Sequence, residues 1–247
     1  MIDSHVHVGW FVDRYHAPDV VTVALRDAGI DTIAVSSTST CAEEYEFVIS
    51  EMLWLQEEWG ENVFPLFWIT PGMLNSGCVD ILWDADIKWK GLKMHWHANP
   101  EFYHDPSLMK QLMKDNRFAE LPILLHTGEF PVCHAAVFEQ NLTNYPERTF
   151  ILAHGRPIGE TEKLIEAYQN AYVDTAFMAV NDIVRLVNQG LSDKILWGSD
   201  CPINEHVYPQ FVTSEYLKQS LKALSEQVSE GDFIKITDTN FKKVYNS

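Results

Sequence analysis

The sequence predicts an α/β fold, specifically a (β/α)8 TIM barrel, and three observations carry that expectation. Eight short apolar runs alternate with amphipathic stretches along the whole 247-residue chain, at roughly 20–35 residues per repeat. Most of these runs are rich in Val, Ile, Leu and aromatics, the composition of strands buried on both faces of a parallel sheet. No Gly-rich nucleotide fingerprint follows the first run and no edge run is less apolar than the others, which argues against an open doubly wound sheet.

The strands are expected at residues 2–8, 32–37, 63–70, 91–96, 123–126, 149–154, 171–175 and 194–199. After the first, Pro18-Asp19 opens a helix that Gly29 ends, with Val20, Val21, Ala24 and Leu25 on one side. Residues 42–59 carry Phe47, Met52, Leu55 and Trp59 at helical spacing, with Gly60 as a stop. Residues 73–88 are the least legible, and Ile81, Leu82 and Trp83 suggest a short helix there. Asp105-Pro106 reads as an N-cap and first-turn proline, and further helices are expected at 132–141, 160–169, 179–189 and 213–226, with a terminal turn at 240–245. No composition shift or linker divides the chain, so residues 1–247 are expected to form a single barrel domain without an added β-sandwich.

Charge and cysteine usage narrow the partners. Eighteen basic against 35 acidic residues leave a net charge of −17, a field that repels nucleic acid and anionic lipid. A small anionic substrate stays compatible where local cations reverse the potential. Cys41, Cys78, Cys133 and Cys201 show no C-x-x-C spacing and read as reduced thiols. No signal-like segment precedes the first strand and no apolar run approaches the ~20 residues of a membrane span. A cytoplasmic protein acting on a small molecule is expected, with a homodimer left open.

Chemistry in such barrels sits at the carboxyl ends of the strands, and here the apolar runs end in polar groups. The first strand carries His5 and His7, which alternate onto one face. The fourth ends in His95, the fifth in His126, the sixth in His154 and the eighth in Asp200, while the seventh ends in Asp174-Thr175. Imidazoles of His5, His7 and His126 with the Asp200 carboxylate can surround one divalent ion and leave room for water. The ion would lower that water's pKa toward 7, and Asp200 is suited to take its proton. His154 could steady developing negative charge, and the planar fork of Arg156 suits a substrate carboxylate. Trp10, Phe11, Arg14 and Tyr15 follow the first strand in a loop that should overhang the pocket, so Trp10 and Arg14 join His95 as expected substrate contacts. Lys93 shares a face with His95, and its plainer reading is a buried lysine paired with a carboxylate. Glu129 reads either as an acid supporting the metal or as a solvated loop residue. His16, His104, His134 and His206 read as solvated.

The segments Ile2-Asp3-Ser4-His5-Val6-His7-Val8-Gly9, Gly91-Leu92-Lys93-Met94-His95, Leu125-His126-Thr127-Gly128-Glu129, Leu152-Ala153-His154-Gly155 and Trp197-Gly198-Ser199-Asp200-Cys201-Pro202 resemble the amidohydrolase superfamily. The chain looks closest to its amidohydrolase-related branch, which includes the aminocarboxymuconate semialdehyde decarboxylase type. The resemblance spans nearly the whole chain. It implies a metal-bearing barrel with ligands at His5, His7, His126 and Asp200, His154 as a catalytic or supporting residue, and zinc, sometimes manganese, as the ion. Only the resemblance implies that Lys93, carboxylated by CO2 as in binuclear relatives, could bridge two ions. It implies a hydrolase of lactones, amides or C–C bonds, or a non-oxidative decarboxylase of a small unsaturated or aromatic acid. Arg156 stands where the family has a second glycine, so substrate contacts differ there, and the chain is short for the branch. A TatD-type nuclease also begins with His-x-His, but it would carry a glutamate on strand four and Thr-Asp on strand eight. A barrel that keeps the metal and only binds a ligand is the non-enzymatic reading.

Overall fold

The computed structural model describes residues 1–98, 100–128 and 130–246. One nine-stranded sheet organises the molecule, in the order β2-β1-β3-β4-β5-β6-β7-β8-β9. The strands are β1 (Ile2–Phe11), β2 (Arg14–His16), β3 (Thr32–Ser37), β4 (Val63–Trp68), β5 (Gly91–Met94), β6 (Ile123–His126), β7 (Phe150–Ala153), β8 (Ala171–Asp174) and β9 (Ile195–Leu196). All neighbours pair in parallel except β2, which folds back antiparallel on β1. Helices cross between the parallel strands, as parallel pairing requires.

The sheet returns on itself just past β9. The Trp197 carbonyl accepts from the Ser4 N–H at 2.9 Å, the Asp200 N–H donates to the His5 carbonyl at 2.8 Å, and the His7 N–H donates to the Cys201 carbonyl at 2.7 Å. This seam lays the chain that carries Asp200 directly against the chain that carries His5 and His7. Gly198 makes the approach feasible, because a Cβ there would lie 2.9 Å from His5 Cβ and 3.0 Å from Ser4 Oγ.

Side-chain alternation sorts the strands' residues into two cores. Ile2, Ala34, Leu66, Leu124, Ile151, Ala153 and Leu196 share one buried cluster with Phe241 and Tyr245 of the C-terminal helix Asn240–Tyr245. Their immediate neighbours, among them Ile33, Val35, Leu125, Leu152 and Ile195, belong to the larger cluster shared with the surrounding helices. Each fully buried Leu, Ile or Phe contributes about 1.5–3 kcal/mol. No helix among the described residues is long and apolar enough to cross a membrane.

Several elements depart from the sequence expectation for local reasons. The first strand runs on to Phe11 and turns back through Val12, whose φ of 56° is uncommon for a β-branched residue. The helix expected at 42–59 starts only at Tyr45 and runs to Trp59, because Ala42 ends a preceding 3-10 turn, Thr38–Ala42, and Glu43 takes the left-handed conformation between them. Residues 73–88 hold the end of Pro71–Ser76 and all of Cys78–Trp83, parted by Gly77. In place of the helix expected at 132–141 are two 3-10 turns, Pro131–Cys133 and Ala135–Phe138, followed by the helix Glu139–Asn144, with His134 extended between the turns. His16 is buried instead of solvated, because the hairpin folds it against the turn Asn204–Val207, where its Nε2 lies 3.0 Å from Nε2 of His206.

Candidate metal centre

β1 presents both imidazoles to the barrel mouth, and each has its outward ring nitrogen engaged. His5 Nδ1 lies 2.8 Å from Asp174 Oδ2. A carboxylate held ionised only accepts, so the His5 proton resides on Nδ1 and Nε2 is left as a lone pair. His7 Nδ1 faces Ser36, 3.0 Å from its hydroxyl and 3.3 Å from its carbonyl oxygen. With the His7 proton donated to that carbonyl, Nε2 of His7 is likewise a lone pair.

These two lone pairs meet the Asp200 carboxylate. His5 Nε2 and His7 Nε2 are 3.1 Å apart, and Asp200 Oδ1 lies 3.0 Å from His7 Nε2 and 3.3 Å from His5 Nε2. Oδ1 is buried and has no hydrogen-bond partner among the described residues. Three acceptor atoms facing one another across 3.0–3.3 Å repel unless a cation lies between them. Ligand atoms placed 2.0–2.2 Å from a tetrahedral zinc ion are about 3.3–3.6 Å apart, so the donor set has the chemistry of a divalent-ion site, with its atoms a few tenths of an ångström closer than a bound ion would hold them.

Electrostatics keeps the clustered side chains in the forms that could coordinate an ion. Burial pushes His7 and His154 down to about 4, so both are neutral at pH 7. Burial, reinforced by neighbouring cationic and imidazole groups, also holds His95 and His126 well below the ordinary histidine value. Burial alone would raise the Asp200 carboxyl, but facing His5 and His7 holds it well below the usual range. Asp174 is likewise depressed: burial opposes its charge, and the contact with His5 overrides that. Burial pulls Lys93 down to about 8.

Backbone geometry aims two of these side chains. His154 and Asp200 follow their strands with φ of 68° and 59°, the left-handed region where a side chain costs on the order of 1–3 kcal/mol. Asp174 Oδ1 accepts from the His154 N–H at 2.9 Å and the Ala176 N–H at 3.0 Å, so one carboxylate both orients His5 and anchors the strained turn at His154.

The cluster forms the floor of a cavity of about 750 Å³. Trp10, Phe11, Trp68, Phe177, Ile203 and Tyr208 supply apolar walls, while Lys93, His95, His97, His126, His154 and Arg156 supply polar groups. The expected site residues are therefore distributed as follows. His5, His7 and Asp200 converge on one point, and His5 also groups with His154 and Asp174. His126 lies beyond His154, its Nδ1 3.2 Å from His154 Nε2 and its ring 3.9 Å from that of His95. It is displaced from the three-atom cluster because β6 lies across the barrel from β1, whereas Asp200 is hydrogen-bonded beside β1. Trp10, His95 and Arg156 line the cavity. Arg14, expected on the substrate, instead pairs with Glu205 at 2.6 Å and is absent from the lining, because the hairpin turns it outward. Lys93 pairs with no carboxylate among the described residues, and its Nζ lies 2.8 Å from His5 Nε2. Glu129 lies outside the described residues.

Asp174 and Ser36 were not singled out from the sequence. Asp174 does end an apolar run, the same signal that marked His126 and Asp200, but nothing in the sequence tells a carboxylate that orients a ligand from one that is a ligand. The aromatic walls Trp68 and Phe177 carry no such signal.

No protein-family model and no curated protein matches the chain. Solved structures do. A probable 2-pyrone-4,6-dicarboxylic acid hydrolase from Acinetobacter baumannii, with citric acid bound, superposes with a TM-score of 0.69 at 15% identity, covering 100% of this chain and 99% of that one. A 5-carboxyvanillate decarboxylase from Novosphingobium aromaticivorans, complexed with manganese and a nitrobenzoic acid, gives 0.63 at 13% identity, covering 92% and 79%. An enamidase described as a member of the amidohydrolase superfamily gives 0.68 at 12% identity, covering 99% of this chain and 66% of that one. The chain shares the fold of these enzymes, one of them from the superfamily that its own motifs resemble.

Proposed function

We propose that this protein is a metal-dependent enzyme of the amidohydrolase superfamily that hydrolyses a small carbonyl compound, such as a lactone, an amide or an activated C–C bond. The observation that carries the reading is the convergence of His5 Nε2, His7 Nε2 and the partnerless Asp200 Oδ1 at 3.0–3.3 Å. His5, His7 and Asp200 would hold the ion, zinc or manganese, and His126 is the fourth ligand that the family resemblance implies. When bound, the ion supplies Lewis-acid polarisation and draws the pKa of water toward 7.

The chain's own groups do the rest. Asp200, kept ionised, accepts the proton of the attacking water and returns it to the leaving group. His154 donates from Nδ1 to the Ala176 carbonyl at 3.1 Å, which leaves Nε2 facing His126 Nδ1. A proton at that contact can pass between the two rings at the edge of the reacting centre. Arg156 offers a planar donor fork for a substrate carboxylate, and Trp10, Phe11, Phe177 and Tyr208 hold a flat apolar body and exclude water.

Non-oxidative decarboxylation of a small unsaturated or aromatic acid is the second reading. The aromatic walls favour it, and a decarboxylase shares the fold. Zinc- and manganese-loaded protein assayed on lactones, amides and aryl acids separates the two by ¹⁸O incorporation from water against CO2 release. His5→Ala, His7→Ala and Asp200→Ala are each expected to lose the ion and at least about 10²-fold in kcat/KM, with a smaller loss of ion in His126→Ala. Inertness towards the whole panel with one ion bound would leave a ligand-binding barrel; wild-type protein that retains no ion would remove the metal reading.

A further inference from the structure

Lys93 is buried beneath the cavity, and its Nζ makes one hydrogen bond among the described residues, to His5 Nε2 at 2.8 Å. No carboxylate forms an ion pair with it among those residues, and the nearest aromatic face, Trp68, has its ring centre 5.8 Å away. Its partner atom is the lone pair that His5 turns toward His7 and Asp200, since Asp174 already holds the proton of His5 on the far side of the ring. Lys93 thus points its N–H at the atom a divalent ion would occupy in coordination.

We infer that Lys93 is the internal counter-cation of the ligand cluster: its ammonium occupies the lone pair of His5 when no ion is present and opposes the ion by charge when one arrives. The inference rests on the proposed metal reading. The residue serves as a positioning and affinity-setting group rather than a bridging ligand. Two consequences follow. A unit charge next to the ion weakens binding, so the lysine keeps the site exchangeable. In the metal-free protein the same charge offsets the buried carboxylates Asp174 and Asp200, so the lysine stabilises the empty cluster.

The test strips the protein with a chelator and titrates zinc against a chromophoric competitor, in wild type, Lys93→Met and Lys93→Gln. Methionine keeps the volume without the charge, and glutamine keeps a donor toward His5 should the methionine variant fail to fold. The expected result is one ion per chain in wild type, at least about tenfold tighter zinc binding in the variants, and a crossed pattern in melting, lower than wild type without zinc and closer to it or above it with zinc. A merely structural lysine would lower both melting temperatures and leave the affinity unchanged. The inference is overturned if the variants bind zinc no more tightly than wild type. It is equally overturned if wild type binds two ions and shows a carbamate signal after exposure to ¹³C-bicarbonate. Failure of wild type and variants alike to bind any ion would instead sink the metal reading, and this inference with it.

Discussion

Asp174 carries two loads at once: it fixes the proton of His5 on Nδ1 and it anchors the left-handed turn at His154. Asp174→Asn keeps the size and the acceptor but removes the charge that favours that tautomer. Its metal affinity is expected to fall about 10–100-fold, as for other carboxylates that orient a histidine ligand, while the fold persists. Chelator competition measures this, and an unchanged affinity would show that His5 is oriented by the strand alone. The comparison with Asp200 is instructive. Both are buried carboxylates at strand ends, yet Asp174 has its oxygens engaged by His5, His154 and Ala176, whereas Asp200 Oδ1 faces the bare Nε2 atoms of His5 and His7 with no hydrogen-bond donor among the described residues. Partner count separates the two roles, and partner count is a property of neighbours rather than of residue type.

Among the elements, the seam between β1 and the segment after β9 and the hairpin β1–β2 are the two on which the site depends. Gly198→Ala would drive a Cβ within 3 Å of His5 Cβ and Ser4 Oγ. A loss of about 1–3 kcal/mol in denaturant unfolding is expected from the overpacking, together with weaker zinc binding, because His5 must move. Zinc binding that survives at full strength would place the ligand geometry outside the seam's control. The hairpin is pinned by His16 against His206. Burial, with Arg14 adding to it, pushes His16 down to about 4, against roughly 6.5 in an unfolded chain. A histidine whose pKa falls on folding contributes stability that is complete above about 6.5 and lost as the pH drops toward 4. His16→Gln should therefore lose stability less steeply than wild type between those values, by up to about 1 kcal/mol per pH unit. Parallel urea curves for the two proteins at pH 7 and pH 5 would refute it.

For the whole molecule, an ion held as proposed would link folding to the site. An ion that binds only the folded chain stabilises it by RT ln(1 + [L]/Kd), about 4 kcal/mol at a thousandfold excess over Kd. For a chain of this size that is roughly 10 °C in melting temperature, lost on chelation and regained with zinc or manganese. Insensitivity of the melting temperature to chelator, in protein shown to carry the ion, would mean that the unfolded chain binds it as well. The acidic balance of −17 acts in the other direction, through self-repulsion that salt screens.

Much of this architecture was written locally. The parallel strands were legible because apolar runs such as Val63–Trp68 and Phe150–Ala153 need burial on both faces whatever surrounds them. His5 and His7 were legible as a pair because a strand's period of two residues puts them on one side. Less was legible where a single φ decided the outcome. Val12 and Glu43 take left-handed conformations that their residue types disfavour, so the hairpin and the split before Tyr45–Trp59 could not be read from propensity. Local pattern dictates which side chains stand at the carboxyl ends of the strands, and hence the chemistry on offer. Long-range pairing dictates which of them meet. Closure of the sheet sets Asp200 beside His5 and His7, leaves His126 across the mouth and aims Lys93 at a lone pair of His5. Strand order around a ring is a long-range property, and no local pattern of residues encodes the distance between its members.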